Sequence, residues 1–120
     1  MRSRLEADFA SWLDGCGRNW QYEPQCFADE TGQYLPDFLI KAEVNVARTY
    51  VEIKPTTFSE ADAKALRQRM EIIWSSDPDC ALNIVWWDAN RHQSFAAWHS
   101  FQKGAGWHYW TRRGGFYEVA

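Results

Sequence analysis

The sequence predicts a mixed α/β (α+β) domain, with a mixed central sheet flanked by helices, from three observations. Residues 3–14 have apolar side chains at helical spacing. Short stretches of extended character follow, and then a second helical pattern leads into the nearly all-apolar segment 81–87. A strand–helix–strand order favours a right-handed crossover and parallel pairing of the two strands. The predicted core therefore has the order αβββαβ and covers about residues 2–87.

The first predicted helix, residues 3–14, carries one apolar stripe. The stripe consists of Leu5, Phe9, Trp12 and Leu13. Gly15 and Gly17 are expected to end the helix. Ser3 and Glu6 have the spacing of a capping box, in which the glutamate stabilises only the helix start. Glu6 also borders the apolar stripe, so a second interpretation directs its carboxylate toward the sheet as a site residue.

Three strands are predicted between the two helices. The segments are a strand at 19–23, a turn at 25–33, a strand at 35–40, a loop or strand extension at 41–46 and a strand at 48–54. Pro24 is expected to end the first strand, and Gly32 is typical of a turn. Pro36 favours an extended conformation at Leu35 and suits the start of an edge strand.

The second predicted helix opens at Ser59, with Asp62 at the capping-box position. Its buried stripe is predicted to be Ala63, Leu66, Met70, Ile73 and Trp74. The residues predicted to face away are Lys64, Arg67 and Gln68. Residues 75–79 are expected to end the helix before the buried strand at 81–87.

The remaining residues, 88–120, are interpreted as an aromatic-rich C-terminal extension of a single domain spanning 1–120. Phe95, Trp98 and Phe101 or Gln102 are at the spacing of a short helix. Residues 107–113 and 116–119 are predicted to form a hairpin around Gly114 and Gly115.

Composition restricts the class of protein. The chain has 120 residues and a formal charge of −3, which argues against general coating of nucleic acid but allows a local site. Three widely spaced cysteines suggest neither a disulfide framework nor a zinc site, as expected of a reduced, cytoplasmic protein. No apolar stretch is long enough to span a bilayer, so no membrane association is expected. His92, His99 and His108 lack metal-binding spacing and are interpreted as surface or structural residues.

Two predicted neighbouring strands carry charged residues among apolar ones. Asp37 lies in the first half of one strand, and Glu52 and Lys54 project from the same face of the next because side chains alternate. Burying two carboxylates and an ammonium is costly, which suggests a site. A structural ion pair on a sheet face is the alternative.

Pro36-Asp37, fourteen intervening residues and Glu52-x-Lys54 resemble the motif of the PD-(D/E)XK nuclease superfamily. That superfamily includes restriction endonucleases, archaeal Holliday-junction resolvases and TnsA-type transposon endonucleases. The αβββαβ order is similar to its core, and archaeal resolvases carry a similar Ser-x-x-Glu ahead of the motif. The resemblance covers about residues 2–87 and implies a restriction-endonuclease-like fold.

The resemblance implies a Mg²⁺-dependent endonuclease acting on DNA, in which Mn²⁺ can substitute. Asp37 and Glu52 are expected to bind the metal with the backbone carbonyl of Ile53, and Lys54 to orient water or neutralise the phosphate. Glu6 is expected to contribute through water or a second ion, and Glu23 is a weaker candidate.

Candidate DNA contacts are basic residues expected around the site. They are Arg2, Arg4, Lys64, Arg67, Arg91, Lys103, Arg112 and Arg113. The alternative for each is a solvated surface charge. Thr56 and Thr57 are expected to line the cleft or to cap the approach to the second helix.

Specificity is expected from the structure of the DNA substrate, from a homodimer or from a targeting partner protein, by analogy with nucleases of phages and mobile elements. A catalytically inactive module for DNA or protein binding is the alternative function, and an RNA-processing nuclease is the third.

Overall fold

A computed structural model describes residues 3–44, 47–54, 60–88, 94–101 and 106–111. These residues form a mixed α and β structure with one six-stranded sheet, one two-stranded sheet, two main helices and a short third helix. The helices and strands, in chain order, are α1 (Arg4–Gly15), β1 (Trp20–Tyr22), β2 (Phe27–Asp29), β3 (Gly32–Tyr34), β4 (Phe38–Ile40), β5 (Thr49–Ile53), α2 (Glu60–Met70), α3 (Ile73–Ser76), β6 (Ala81–Asp88), β7 (Ser94–Ser100) and β8 (His108–Thr111).

The large sheet has the strand order β1-β4-β5-β6-β7-β8. Strands β5 and β6 are parallel, with Glu52 paired to Ile84, and every other neighbouring pair is antiparallel. The predicted parallel pairing of the strands on either side of the second helix is therefore confirmed. The parallel pair places the last residues of β5 and β6 at the same end of the sheet.

Each face of the large sheet is covered by its own apolar layer, because successive side chains of a strand point to opposite faces. On one face, Phe9 and Leu13 of α1 pack against Val51 of β5. On the other face, Tyr50 of β5 packs in a second cluster with Met70 of α2. That second cluster also contains Phe27, Tyr34, Ile73, Trp74, Leu82 and Ile84.

The first helix and the central strands agree with the sequence prediction, although the strands are shorter. Helix α1 begins after Ser3, whose Oγ accepts a hydrogen bond from the N–H of Glu6 at 3.0 Å. Strand β4 begins at Phe38 rather than at Leu35. Pro36 has no N–H to donate to a neighbouring strand, which explains why the ladder is not extended to Leu35.

The prediction of a plain turn at 25–33 is wrong, because this segment contributes strands β2 and β3 of a small hairpin. Asp29 Oδ1 accepts hydrogen bonds from the N–H and the hydroxyl of Thr31, which closes the turn. Phe27 and Tyr34 are paired across the hairpin and are both buried. Strands of three residues are too short to show a clear alternation in the sequence.

The second predicted helix is divided in two. Helix α2 ends at Met70, and Ile73 and Trp74 belong to the short helix α3, so the predicted stripe does not lie on one continuous helix. Lys64 is exposed as predicted, whereas the Arg67 guanidinium lies 4.6 Å from the centre of the Trp98 ring. The predicted opening at Ser59 lies outside the described residues.

The predicted helix around Phe95 and Trp98 is wrong, because these residues belong to strand β7. Phe95 packs in the α1 layer and Trp98 in the opposite layer, so apolar side chains occur on both faces of the strand. A strand covered on both faces has no polar alternation, which hides it from a pattern search. Strand β8 extends the sheet within the predicted 107–113 segment, and the predicted partner at 116–119 lies outside the described residues.

No helix among these described segments combines the length and the apolar character that crossing a bilayer requires.

We expect the Phe38→Ala substitution to lower the free energy of unfolding by about 3–5 kcal/mol, measured by urea denaturation. Phe38 is fully buried, and its ring packs edge-on against Phe9, Trp20 and Tyr22. Val44→Ala is the control, because Val44 is 88% exposed and its truncation should change stability by less than about 0.5 kcal/mol. Equal stability of the two variants would contradict this description of the core.

Candidate functional site

A pocket of about 430 Å³ lies where strand β5 ends. It receives side chains from the start of α1, from the residue before β4 and from the end of β5. The lining residues are Ser3, Leu5, Glu6, Asp37, Glu52, Ile53 and Lys54. The structure therefore brings together all four side chains that the sequence predicts as catalytic.

Asp37 is the most enclosed carboxylate of the pocket, at 4% exposure. Its Oδ2 accepts a hydrogen bond from the N–H of Ile53 at 2.7 Å, and its own N–H donates to the carbonyl of Val51 at 2.9 Å. Burial, followed by the negative charge of Glu52, raises the pKa of Asp37 to about 7, although the Ile53 N–H acts in the opposite direction. Asp37 therefore lies in buried surroundings, close to the carboxyl groups of Glu52 and Glu6, that favour its protonated form.

Glu52 is held by a residue that the sequence analysis did not select. The Tyr34 hydroxyl donates a short hydrogen bond to Glu52 Oε1. Burial of Tyr34 and the charge of Glu52 raise the pKa of the hydroxyl far above its ordinary value, so it remains a donor. No pattern in the sequence indicated this contact, because it depends on how the β2–β3 hairpin folds over the sheet.

Lys54 supplies a positive charge at the edge of the pocket. Its Nζ lies 3.6 Å from Glu52 Oε2, and its side chain is 38% exposed. A charge-assisted N–H···O bond is usually about 2.7–2.9 Å long, so this ion pair is loose. The predicted structural pairing of Glu52 and Lys54 is present, but it leaves the ammonium facing the pocket and solvent.

Glu6 takes part in the helix cap through its backbone, whereas its carboxylate is directed to the pocket instead of back to Ser3. Its backbone N–H takes part in the cap with Ser3, while its carboxylate Oε2 accepts a hydrogen bond from the Tyr22 hydroxyl at 3.2 Å. Glu6 is 5% exposed, and its charge contributes to the raised pKa of Asp37. The helix start therefore carries a third carboxylate into the pocket.

The donor chemistry of the pocket fits a hard divalent cation. In the part of the chain that the structure describes, no group of three or more His, Cys, Asp or Glu side chains is arranged to hold a metal ion. Mg²⁺ needs fewer protein ligands, because it usually binds one or two carboxylates and retains several waters. Asp37 and Glu52, with the carbonyl of Ile53, supply oxygen donors of that kind.

The other predicted contributors that the structure describes are not among the residues lining the pocket. Glu23 is one of these contributors. Its backbone has a positive φ of 45°, and its N–H donates to the carbonyl of Asp37 at 2.8 Å. Arg4 is exposed between the pocket-lining Ser3 and Leu5. The candidates that lie outside the described residues are Arg2, Thr56, Thr57, Arg91, His92, Lys103, Arg112 and Arg113.

Two histidines can be located. His99 is buried, its Nδ1 is paired with the Asn83 side-chain oxygen, and burial lowers its pKa to about 4. His108 is exposed on strand β8. Neither lines the pocket, in agreement with their interpretation as structural or surface residues.

We expect the Asp37→Asn substitution to change the pH dependence of folding in the absence of metal. The folded protein keeps a proton on Asp37 to about pH 7, whereas the unfolded chain loses it near its ordinary pKa of 3.8. This carboxyl therefore lowers stability progressively as the pH rises from about 4 to about 7, by roughly 1.4 kcal/mol for each unit of raised pKa.

Urea unfolding at several pH values, with EDTA present, measures the difference between wild type and Asp37→Asn. The variant should gain stability relative to wild type across this range. The buried His99 has the opposite effect, because it lowers the free energy of unfolding as the pH falls from about 6.5 to about 4. His99 is present in both proteins, so its contribution cancels in the difference between them. A constant difference across the range would show that Asp37 ionises as it does in the unfolded chain.

Comparisons with protein-family models, curated proteins and solved structures found no match to this chain. The resemblance to PD-(D/E)XK nucleases therefore stays a prediction that rests on the chain's own residues.

Proposed function

We propose that the protein is a metal-dependent endonuclease of the PD-(D/E)XK type that hydrolyses phosphodiester bonds in DNA. The observation that carries this proposal is that Asp37, Glu52 and Lys54 line one pocket at the end of β5. Asp37 is distant in sequence from Glu52 and Lys54, which alternate along one segment of the chain. The three side chains thus meet in one pocket, where carboxylate oxygens and an ammonium could act on the same bound phosphate.

The order of elements supports the fold that this proposal requires. Helix α1, strands β1, β4 and β5, helix α2 and strand β6 follow the order αβββαβ, with the β2–β3 hairpin inserted before β4. The antiparallel β1-β4-β5 set beside a parallel β6 agrees with a restriction-endonuclease-like core. Strands β7 and β8 then enlarge the same sheet.

The charge balance of the pocket supports a cation rather than a closed network of ion pairs. Glu6, Asp37 and Glu52 contribute three carboxyl groups to its lining, and Lys54 contributes one ammonium. Opposite charge nearby favours ionised carboxylates, whereas like charge disfavours them. A divalent cation would therefore favour the ionised form of Asp37, whose pKa is raised in its absence.

The residues that would hold Mg²⁺, or Mn²⁺ in its place, are Asp37 and Glu52 with the Ile53 carbonyl. When bound, the ion would supply the positive charge that lowers the pKa of water and offsets charge developing at phosphorus. Lys54, partly exposed at the pocket edge, would orient the attacking water or pair with a phosphate oxygen. Glu6, whose carboxylate is held by the Tyr22 hydroxyl, would contribute through water.

The DNA would reach the pocket from its open side, near the exposed Arg4. Substrate choice would then depend on a second copy of the chain or on a targeting protein, as in nucleases carried by phages and mobile elements. Cleavage of RNA by the same residues, or binding without cleavage, are the alternatives that the following assay separates.

We expect purified protein to cut DNA with Mg²⁺ or Mn²⁺ and to be inactive with EDTA. The assay uses supercoiled plasmid, branched DNA, single-stranded DNA and RNA of matched sequence. Asp37→Asn, Glu52→Gln and Lys54→Ala should each lower the cleavage rate by at least about a hundredfold, because each removes a cation ligand or the ammonium.

The control variants are Asp8→Asn and Lys41→Ala, which change exposed charges outside the pocket and should keep wild-type rates. Faster cutting of RNA than of DNA would assign the site to RNA. Absence of cutting on every substrate, together with absence of Mg²⁺ and Mn²⁺ binding by calorimetry, would replace the nuclease proposal with a binding module.

A further inference from the structure

Tyr34 occupies a position beside the pocket but not in its lining. It ends strand β3, pairs with Phe27 across the hairpin and is 5% exposed. Its ring packs in the apolar layer on the α2 side of the sheet, and its hydroxyl reaches Glu52. The Arg69 guanidinium of α2 lies 5.6 Å from the centre of the same ring.

We propose that Tyr34 is a positioning residue, which fixes the carboxylate of Glu52 in the orientation that binds a divalent cation. This inference rests on the proposed function, because it assigns to Glu52 the role of a cation ligand. It adds the β2–β3 hairpin to the machinery of the site, although the hairpin contributes no residue to the pocket.

The two oxygens of Glu52 have different surroundings, and this asymmetry carries the inference. Oε1 accepts the hydrogen bond from Tyr34, whereas Oε2 faces Lys54 at 3.6 Å. A buried donor on one oxygen restrains rotation of the carboxylate and leaves the other oxygen directed to the pocket. Donors that hold ligating groups in this way usually contribute about 10–100-fold to metal affinity.

A tyrosine is suited to this task because its hydroxyl is neutral. It can satisfy a lone pair of Glu52 without cancelling the charge that attracts a cation. The Arg69 guanidinium contacts the ring of Tyr34, and among the described residues the ion pair found for Glu52 is the loose one with Lys54. The arrangement orders Glu52 and preserves its negative charge.

The test compares Tyr34→Phe with Tyr50→Phe by titrating each folded protein with Mg²⁺ alone, and then Mn²⁺ alone, in a calorimeter. Tyr50 is the matched control, because it is 4% exposed and its hydroxyl donates to a carboxylate outside the pocket, that of Asp77, at 3.4 Å. Tyr34→Phe should weaken binding by about 10–100-fold, and Tyr50→Phe should leave it within about twofold of wild type.

A second pair of variants keeps the inference testable if Tyr34→Phe does not fold. Arg69→Gln removes the guanidinium over Tyr34, and Arg67→Gln removes the one over Trp98 on the same helix. Each variant loses one positive charge, which by itself favours cation binding, so the comparison between them isolates the contact with Tyr34. Arg69→Gln should bind Mg²⁺ about two- to fivefold more weakly than Arg67→Gln, as expected for the loss of a single cation–π contact, and equal binding by the two would contradict the inference.

The outcomes separate this inference from the proposed function. If wild type binds the ions and Tyr34→Phe binds them equally well, Tyr34 has no positioning role and the proposed function is unaffected. If Tyr34→Phe is folded but binds no more weakly than Tyr50→Phe, the role is likewise refuted. If wild type itself binds neither ion, the metal-dependent function fails and this inference fails with it.

Discussion

The hydrogen bond from the N–H of Ile53 to the carboxylate of Asp37 is the contact on which the arrangement of the pocket depends. It fastens the residue before β4 to the last residue of β5. Because Phe38 is paired with Val51, the antiparallel register brings Asp37 alongside Glu52. A shift of one residue would turn Glu52 to the opposite face of the sheet and bury it against α1. The apolar pattern of β5 thus fixes the register, and the register fixes the distance between the acids.

The outline of this arrangement can be read from the sequence because it depends on short-range rules. The capping serine, the apolar stripe of α1 and the parallel β5–β6 pair follow from local spacing and chain order. Asp37, Glu52 and Lys54 could be selected because charged residues are costly within apolar strands. The role of Glu6 could not be chosen from the sequence, because its backbone and its carboxylate make different contacts. The backbone belongs to the helix cap, and the carboxylate reaches the pocket only through the tertiary fold.

The features that could not be read from the sequence depend on tertiary packing. The β2–β3 hairpin consists of strands too short to show a pattern, and its place is set by burial of Phe27 and Tyr34 against the second apolar layer. Strand β7 has apolar residues on both faces, so its sequence lacks the alternation that indicates a strand, and its aromatic spacing favoured a helix instead. Arg67 was predicted to face away from the core, as a DNA contact or a solvated charge, yet its guanidinium lies over the ring of Trp98. The role inferred for Tyr34 belongs to the same class, since it is defined by a contact between distant segments.

Three hydrogen-bond donors around the pocket hold its carboxyl groups in place. Asp37 receives a backbone N–H, Glu52 a tyrosine hydroxyl and Glu6 another tyrosine hydroxyl. Each donor orders one carboxyl group without adding positive charge, and among the described residues that line the pocket Lys54 alone is cationic. A structural ion-pair network would be expected to bring as many bases as acids into the lining, because buried charge is costly unless it is paired. The excess of carboxyl groups over cationic side chains among the described lining residues is the charge pattern on which the proposal of a divalent cation depends.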